Sequence, residues 1–283
     1  MLMQAHDAVA VLAKHAHPCC KVCDLRRVCP AMVATGKNTA SPITDYNRVL
    51  SRGKHLIRGG DTMKALYVVR SGSAKSYIST PEGVDHIVKF HYPGELVGLD
   101  ALADNRHRRS VQALETTSFC RVAIGTGDGH WPISFKIECQ LLKLASEEIV
   151  GERKRSVILA QHDAGERLAL FLLQLSQQNA KRGFSKRQFN LSMGRGDVAS
   201  FLGLTIETVS RQLTHLQSIG LIRVDRRLIS LISIDGLRQM VSADNLLLME
   251  LQVWPVANAK AHVENIGLPG SLMPGSTDLA PSL

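Results

Sequence analysis

The chain has 283 residues, enough for two domains at roughly 100–200 residues each, and 45% of them are hydrophobic, which excludes disorder throughout. It carries 34 Lys and Arg against 25 Asp and Glu, a formal charge of +9 that favours a polyanionic partner. Aromatics at 5% argue against a stacking platform for single-stranded nucleic acid, and six cysteines are too few for a disulfide scaffold.

Residues 1–45 form a cysteine-rich leader. Asp7 precedes its short apolar run, Ala8 to Ala13, with no Lys or Arg before it and no small-residue cleavage site after it. That is not a secretory signal, and no stretch approaches the ~18–20 apolar residues of a membrane span. The expected compartment is a reducing cytoplasm, with no membrane partner. There, clustered cysteines are more often metal ligands or redox groups than disulfides. Cys19, Cys20, Cys23 and Cys29 are clustered, Cys120 lies far along the chain, and Cys139 reads as a buried apolar residue. Soft thiolates suit either an iron–sulfur cluster or zinc, and spacing alone does not choose between them.

From 46 to 130 the pattern is short strands with turn punctuation. Leu66 to Val69, Ser76 to Ser79, Ile87 to Phe90 and Ser118 to Ile124 read as strands. Ser71-Gly72-Ser73, Pro81-Glu82-Gly83 and Pro93-Gly94 read as turns. Such regular spacing predicts a small antiparallel roll or barrel.

Residues 131–161 change character. Pro132 can start a helix, and Leu142, Ala145, Ile149, Glu152, Ser156 and Leu159 recur at three- and four-residue steps. That seam predicts a helix pairing with its two-fold copy, although an ordinary amphipathic helix packed on its own domain has the same spacing. In a dimer, two Glu152 carboxylates would approach and repel, giving the weak association that a switch needs.

Residues 162–242 read as a winged helix-turn-helix. Gly165 to Asn179 is amphipathic, Gly196 to Gly203 a short helix and Thr205 to Ser218 a longer one. Ile222 to Val224 and Leu228 to Ile232 make a hairpin. Ala199 lets the two short helices approach, and Gly203 permits the sharp turn between them. Glu207, Ser210 and Arg211 share one face of the second helix. Alone, Glu207 and Arg211 would read as a surface ion pair. In this frame they become base readers, Arg for guanine, Glu for cytosine and Ser for several groups. Residues 161–241 hold eleven Lys and Arg against six Asp and Glu, a net +5 suited to phosphates. Arg195, Arg226 and Arg227 are the candidate phosphate contacts. The remainder, 243–283, turns rich in Pro, Gly and Ser beyond Gly267 and reads as a partly disordered extension.

Taken together, CKVCDLRRVC (20–29), HYPGELVGLDAL (91–102), QALETTSFC (112–120) and RGFSKRQFNLSMGRGDVASFLGLTIETVSRQL (182–213) resemble the FNR-type (fumarate and nitrate reduction) regulators of the cyclic AMP receptor protein superfamily. The resemblance implies an α+β chain: an N-terminal antiparallel β-roll sensor domain, a long dimerisation helix and a C-terminal winged helix-turn-helix domain. It implies a non-enzymatic oxygen sensor. Cys20, Cys23, Cys29 and Cys120 match the positions holding an oxygen-labile 4Fe–4S cluster, and Cys19 matches none. Glu207, Ser210 and Arg211 match the base-reading E-x-x-S-R, which implies a palindromic TTGAT-type site in double-stranded DNA. Dimers with an intact cluster would activate or repress anaerobic-metabolism genes, and oxygen would return them to monomers. RNA polymerase is an implied partner. The loop that can touch it in the family is strongly basic here, DNRHRR at 104–109.

Rival readings remain. Gly98 and Arg109-Ser110 resemble parts of a cyclic-nucleotide phosphate cassette, but Leu99 stands where that type needs a ribose-binding glutamate. A zinc-thiolate regulator insensitive to oxygen is another. An iron–sulfur redox enzyme is the third, though the chain has no dinucleotide fingerprint and no catalytic triad.

Overall fold

The computed structural model describes residues 23–24, 43–122 and 135–241, with backbone alone for 43–47 and 135–137. Cys19, Cys20, Cys29, Pro132 and the extension from 243 lie outside the described residues.

Among the described residues eight strands build the roll: β1 (Ile43–Leu50), β2 (His55–Ile57), β3 (Leu66–Ser71), β4 (Ala74–Ser79), β5 (Asp85–His91), β6 (Leu96–Val97), β7 (Ser110–Ala113) and β8 (Thr117–Val122). They form two antiparallel sheets, in the orders β1-β8-β3-β6 and β2-β7-β4-β5. The four strands expected from sequence correspond to β3, β4, β5 and β8, but β1, which begins at Ile43 within the stretch read as a leader, and the short β2, β6 and β7 are not announced by the sequence pattern. Leu66-Tyr-Val-Val69 does not alternate because β3 is covered on both faces. Tyr67 and Val69 point into the roll with Leu56, Ile57, Val111 and Phe119. Leu66 and Val68 point the other way, to Leu96, Val122, Leu141 and Leu144. The two-residue period of β8 does the same, with Phe119 facing inward and Cys120 facing out toward the second cluster.

Leu141 and Leu144 belong to α1 (Phe135–Gln161), a 27-residue helix roughly 40 Å long that closes this outer face. With those two leucines buried, Leu142 (71% exposed) and Ile149 (54%) stand on uncovered surface. Cys139 also stands exposed, contrary to the buried position expected of it, because it lies off the face that Leu141 and Leu144 turn to the roll.

The rest is α2 (Ala164–Lys181), β9 (Gln188–Asn190), α3 (Arg195–Leu202), α4 (Ile206–Ser218), β10 (Ile222–Asp225), β11 (Leu228–Leu231) and α5 (Ile234–Gln239). Asp163 starts α2 with a capping box, and Thr205 caps α4 by accepting the Thr208 N–H at 3.2 Å. The expected hairpin is a three-stranded sheet, β10-β11-β9, whose third strand is only three residues long. Helix α2 is buried along Leu168 to Leu173 without interruption, more than the single face its sequence suggested. The reason is that it lies between the helix-turn-helix and the β4–β5 hairpin, and one apolar cluster runs through Ile87, Phe90, Phe171, Val198 and Leu213. No helix among the described residues is long and apolar enough to cross a membrane.

Candidate functional site

Two of the four candidate cysteine ligands are described, and they converge. Cys23 and Cys120, distant in sequence, both pack against the cluster of Leu66, Val68, Leu96, Val122, Leu141 and Leu144. Asp24 pins the cysteine segment there. Its N–H donates to the Gly94 carbonyl at 2.8 Å, and its Oδ2 accepts the Leu96 N–H at 2.9 Å. Its own carbonyl accepts from Gln140 Nε2 of α1 at 2.8 Å. Burial raises the Asp24 carboxyl above its usual range, the Leu96 hydrogen bond and Lys89 pulling it back. The cysteine segment is thereby joined both to the turn at Pro93-Gly94 and to the helix expected to dimerise. No pattern in the chain announces that double attachment, since Asp24 reads there only as a charge beside the thiols. Two thiolates from separate elements, on an apolar bed, suit a soft metal centre. Among the described residues no three potential ligands gather at one point, Cys20 and Cys29 lying outside them.

On α1, Leu142, Ala145 and Ile149 lie on the outward side, and Ile149, Glu152 and Ser156 line a shallow cavity of about 370 Å³ with Leu99, Asp100, Arg109, Glu148 and Arg153. Glu152 is not an isolated charge. Arg109 reaches Glu148 at 2.7 Å and Glu152 at 3.6 Å. Ser156 is exposed and donates back to the Glu152 carbonyl at 3.0 Å. Leu159 turns to its own chain, its Cδ2 lying 3.6 Å from where a Cβ on Gly203 would sit. The cavity also bears on the cyclic-nucleotide reading. Three carboxylates line it, and the arginine that would meet a phosphate is engaged by two of them. The basic loop is less basic than its sequence: His107 is buried beside Asp100, Arg108 pairs with Asp104 at 2.8 Å, and Arg109 faces α1.

In the helix-turn-helix, Gly203 adopts the left-handed conformation, φ 63°, that L side chains avoid, and Ala199 is buried beneath the turn. Val209, Leu213 and Leu216 bury one face of α4. Glu207 and Arg211 stand exposed on the other, with Ser210 half-buried beside them. Among the described residues Glu207 and Arg211 do not pair. Arg211 Nη2 donates to Thr208 Oγ1 at 3.4 Å, and Arg195 Nη1 donates to Ser210 Oγ at 3.2 Å. Arg226 occupies the turn between β10 and β11 with φ 54°, and Arg227 Nη1 donates to the Ser192 carbonyl at 3.3 Å. All three candidate phosphate-contacting arginines are exposed at the ends of these elements.

Comparison with known proteins agrees with this architecture. Residues 47–125 match the cyclic nucleotide-binding domain, and residues 166–240 match the Crp-like helix-turn-helix domain. The chain is 36% identical over 226 residues to the fumarate and nitrate reduction regulatory protein of Escherichia coli (strain K12), covering 78% of this chain and 89% of that protein. The regulator of that name from Salmonella typhi is 36% identical over 223 residues, 77% of this chain and 88% of its own. Among solved structures, FixK2 from Bradyrhizobium japonicum superimposes with a TM-score of 0.63 at 26% identity, covering 70% of this chain and 97% of that one. A transcriptional regulator of the CRP/FNR family from Thermus thermophilus gives 0.55 at 19% identity, covering 69% and 97%, a likeness of fold.

Proposed function

This chain belongs to the fumarate and nitrate reduction regulators of the CRP/FNR family, transcriptional regulators and not enzymes, and from that premise we propose that it is an oxygen-responsive regulator that binds a 4Fe–4S cluster through Cys20, Cys23, Cys29 and Cys120. The observation that carries the proposal is the meeting of Cys23 and Cys120 on one apolar bed against α1, with Asp24 bonded to Gln140 of that helix. When bound, the cluster supplies an oxygen-labile metal–thiolate centre.

The chain's own residues do the rest. Asp24 holds the cysteine segment to the Gly94 turn and to α1, so an altered segment changes the setting of that helix. Leu142, Ala145 and Ile149 offer the apolar part of a two-fold contact. Arg109 offsets the repulsion of Glu148 and Glu152 without abolishing it, which keeps the dimer weak enough to reverse. In the dimer, two α4 helices present Glu207, Ser210 and Arg211 to the major grooves of a palindromic TTGAT-type site in double-stranded DNA. Arg195, Arg226 and Arg227 meet phosphates. Activation or repression then follows from where the dimer sits relative to RNA polymerase in the cytoplasm.

Cysteine variants test this. Cys20→Ser, Cys23→Ser, Cys29→Ser and Cys120→Ser are each expected to abolish iron loading and anaerobic DNA binding, whereas Cys19→Ser leaves both intact. Full activity in Cys120→Ser would remove it from the ligand set.

A further inference from the structure

Arg155 lies on α1 off the dimer seam, and no role in cluster binding or base reading requires it. Its guanidinium nonetheless joins three elements. Nη1 donates to the Val88 carbonyl at 3.0 Å, and Nη2 donates to the carbonyls of Ile87 at 2.9 Å and Phe201 at 3.0 Å. Its Cζ sits 4.6 Å above the centre of the Phe201 ring. A partly buried guanidinium loses hydration, and here three fixed backbone acceptors recover part of its planar fork of donors, while Nε has no hydrogen-bond partner among the described residues. Backbone carbonyls, unlike side chains, cannot swing away, so the arrangement fixes α1, β5 and the end of α3 relative to one another.

Around Arg155 the docking is continuous. Lys75 of β4 pairs with Asp197 of α3 at 2.6 Å. Ser200 accepts the Ile87 N–H at 2.9 Å and donates to the Asp85 carbonyl at 3.0 Å. The rings of Phe90, Phe171 and Phe201 pack at centroid distances of 5.1 to 6.1 Å. The docked domain still leaves Glu207, Arg211 and Arg226 exposed, so this orientation is compatible with reading DNA. Only His162 and Asp163 separate α1 from α2, yet two residues alone do not define the angle between a helix and the domain that follows it.

A two-fold dimer reads a palindrome only if its reading helices stand one helical turn of DNA apart, roughly 34 Å. That separation depends on the angle between the dimer helix and the reading domain. We infer that Arg155 is a positioning residue that fixes this angle and so sets the half-site spacing the dimer accepts. The inference rests on the dimeric DNA-binding reading above.

The test compares cluster-loaded wild type, Arg155→Met and Arg155→Lys, handled without oxygen, on four duplexes: a TTGAT-type palindrome, the same site with one or two base pairs inserted at its centre, and a single half-site. Wild type is expected to lose roughly tenfold or more in affinity with each insertion. Arg155→Met is expected to bind the intact palindrome roughly tenfold more weakly and to separate the three spacings by no more than about threefold. Its half-site affinity, iron content and dimer content by sedimentation stay as in wild type. Arg155→Lys keeps the stem and charge but cannot span three carbonyls, so it folds and still loses spacing discrimination. Wild-type discrimination in Arg155→Lys, or an equal loss on all four duplexes in both variants, overturns the inference. A wild-type chain that loads no cluster or stays monomeric overturns the reading beneath it, and is seen before any variant is compared.

Discussion

Arg211 separates reading from mere attraction. Its exposed guanidinium makes one long hydrogen bond, to Thr208, and is available to a guanine edge. Arg211→Ala is expected to cost roughly 1–3 kcal/mol at the guanine position and little on sequences already lacking it. Binding isotherms on matched and substituted duplexes check this, and an equal loss on every sequence would make Arg211 a phosphate contact. Glu95 gives a second prediction. Burial pushes its carboxyl up to about 7, with Lys89 and Arg182 pulling it back and Asp24 adding to the rise, and its Oε2 has no hydrogen-bond partner among the described residues. In the unfolded chain this carboxyl titrates near 4.5. Between the two values the folded chain holds the extra proton, so stability declines as pH rises from about 4.5 and the loss is complete above about 7. At roughly 1.4 kcal/mol per unit the penalty reaches a few kcal/mol. Glu95→Gln is therefore expected to raise the melting temperature at pH 8 by several degrees more than at pH 5. A shift of equal size at both would show that no proton is held there.

Among the elements, α1 carries the most. One side closes the outer face of the roll with Leu141 and Leu144, another exposes Leu142 and Ile149, and its far end holds Arg155. In the proposed dimer, the balance of charge beside the seam sets how readily the helix pairs. Glu152→Ala removes both carboxylates of the pair that would face across the proposed two-fold axis and is expected to raise the dimer association constant in air roughly fivefold, the ~1 kcal/mol typical of one exposed charge interaction. Arg109→Ser leaves Glu148 and Glu152 uncompensated and is expected to act in the opposite direction. Sedimentation velocity on both variants reads the sign. Movement of both in one direction would mean that these charges do not face the two-fold axis. The turn of the helix-turn-helix was legible in sequence because its constraints are local: a small residue at 199, a left-handed glycine at 203 and a capping threonine at 205. The third wing strand and the burial of α2 were not, because each depends on a partner distant in the chain. Phe189 becomes a strand residue only opposite Ile229, and Leu170 is buried with the β4–β5 hairpin in the cluster that α2 shares with it.

Across the whole molecule, the cysteine-bearing segment at 23–24 and the helix-turn-helix domain are each tied to α1 by a polar attachment: Gln140 to Asp24 near its start, and Arg155 to the Ile87, Val88 and Phe201 carbonyls near its end. Neither was readable beforehand. A backbone carbonyl has no sequence signature as an acceptor, and Asp24 and Arg155 look like ordinary surface charges until their partners are in place. The cysteine spacing and the Glu207, Ser210 and Arg211 triplet proposed as ligands and base readers could be picked out in the sequence because such positions are written in side-chain type and local periodicity. In the proposed function one cofactor, the 4Fe–4S cluster, joins these parts. The chain is purified without oxygen, assayed for iron and acid-labile sulfide, and its visible spectrum is followed as air is admitted. Brown protein with about four irons and four sulfides per chain that bleaches in air is expected. Colourless protein that holds zinc and is unchanged by air would contradict the proposed function.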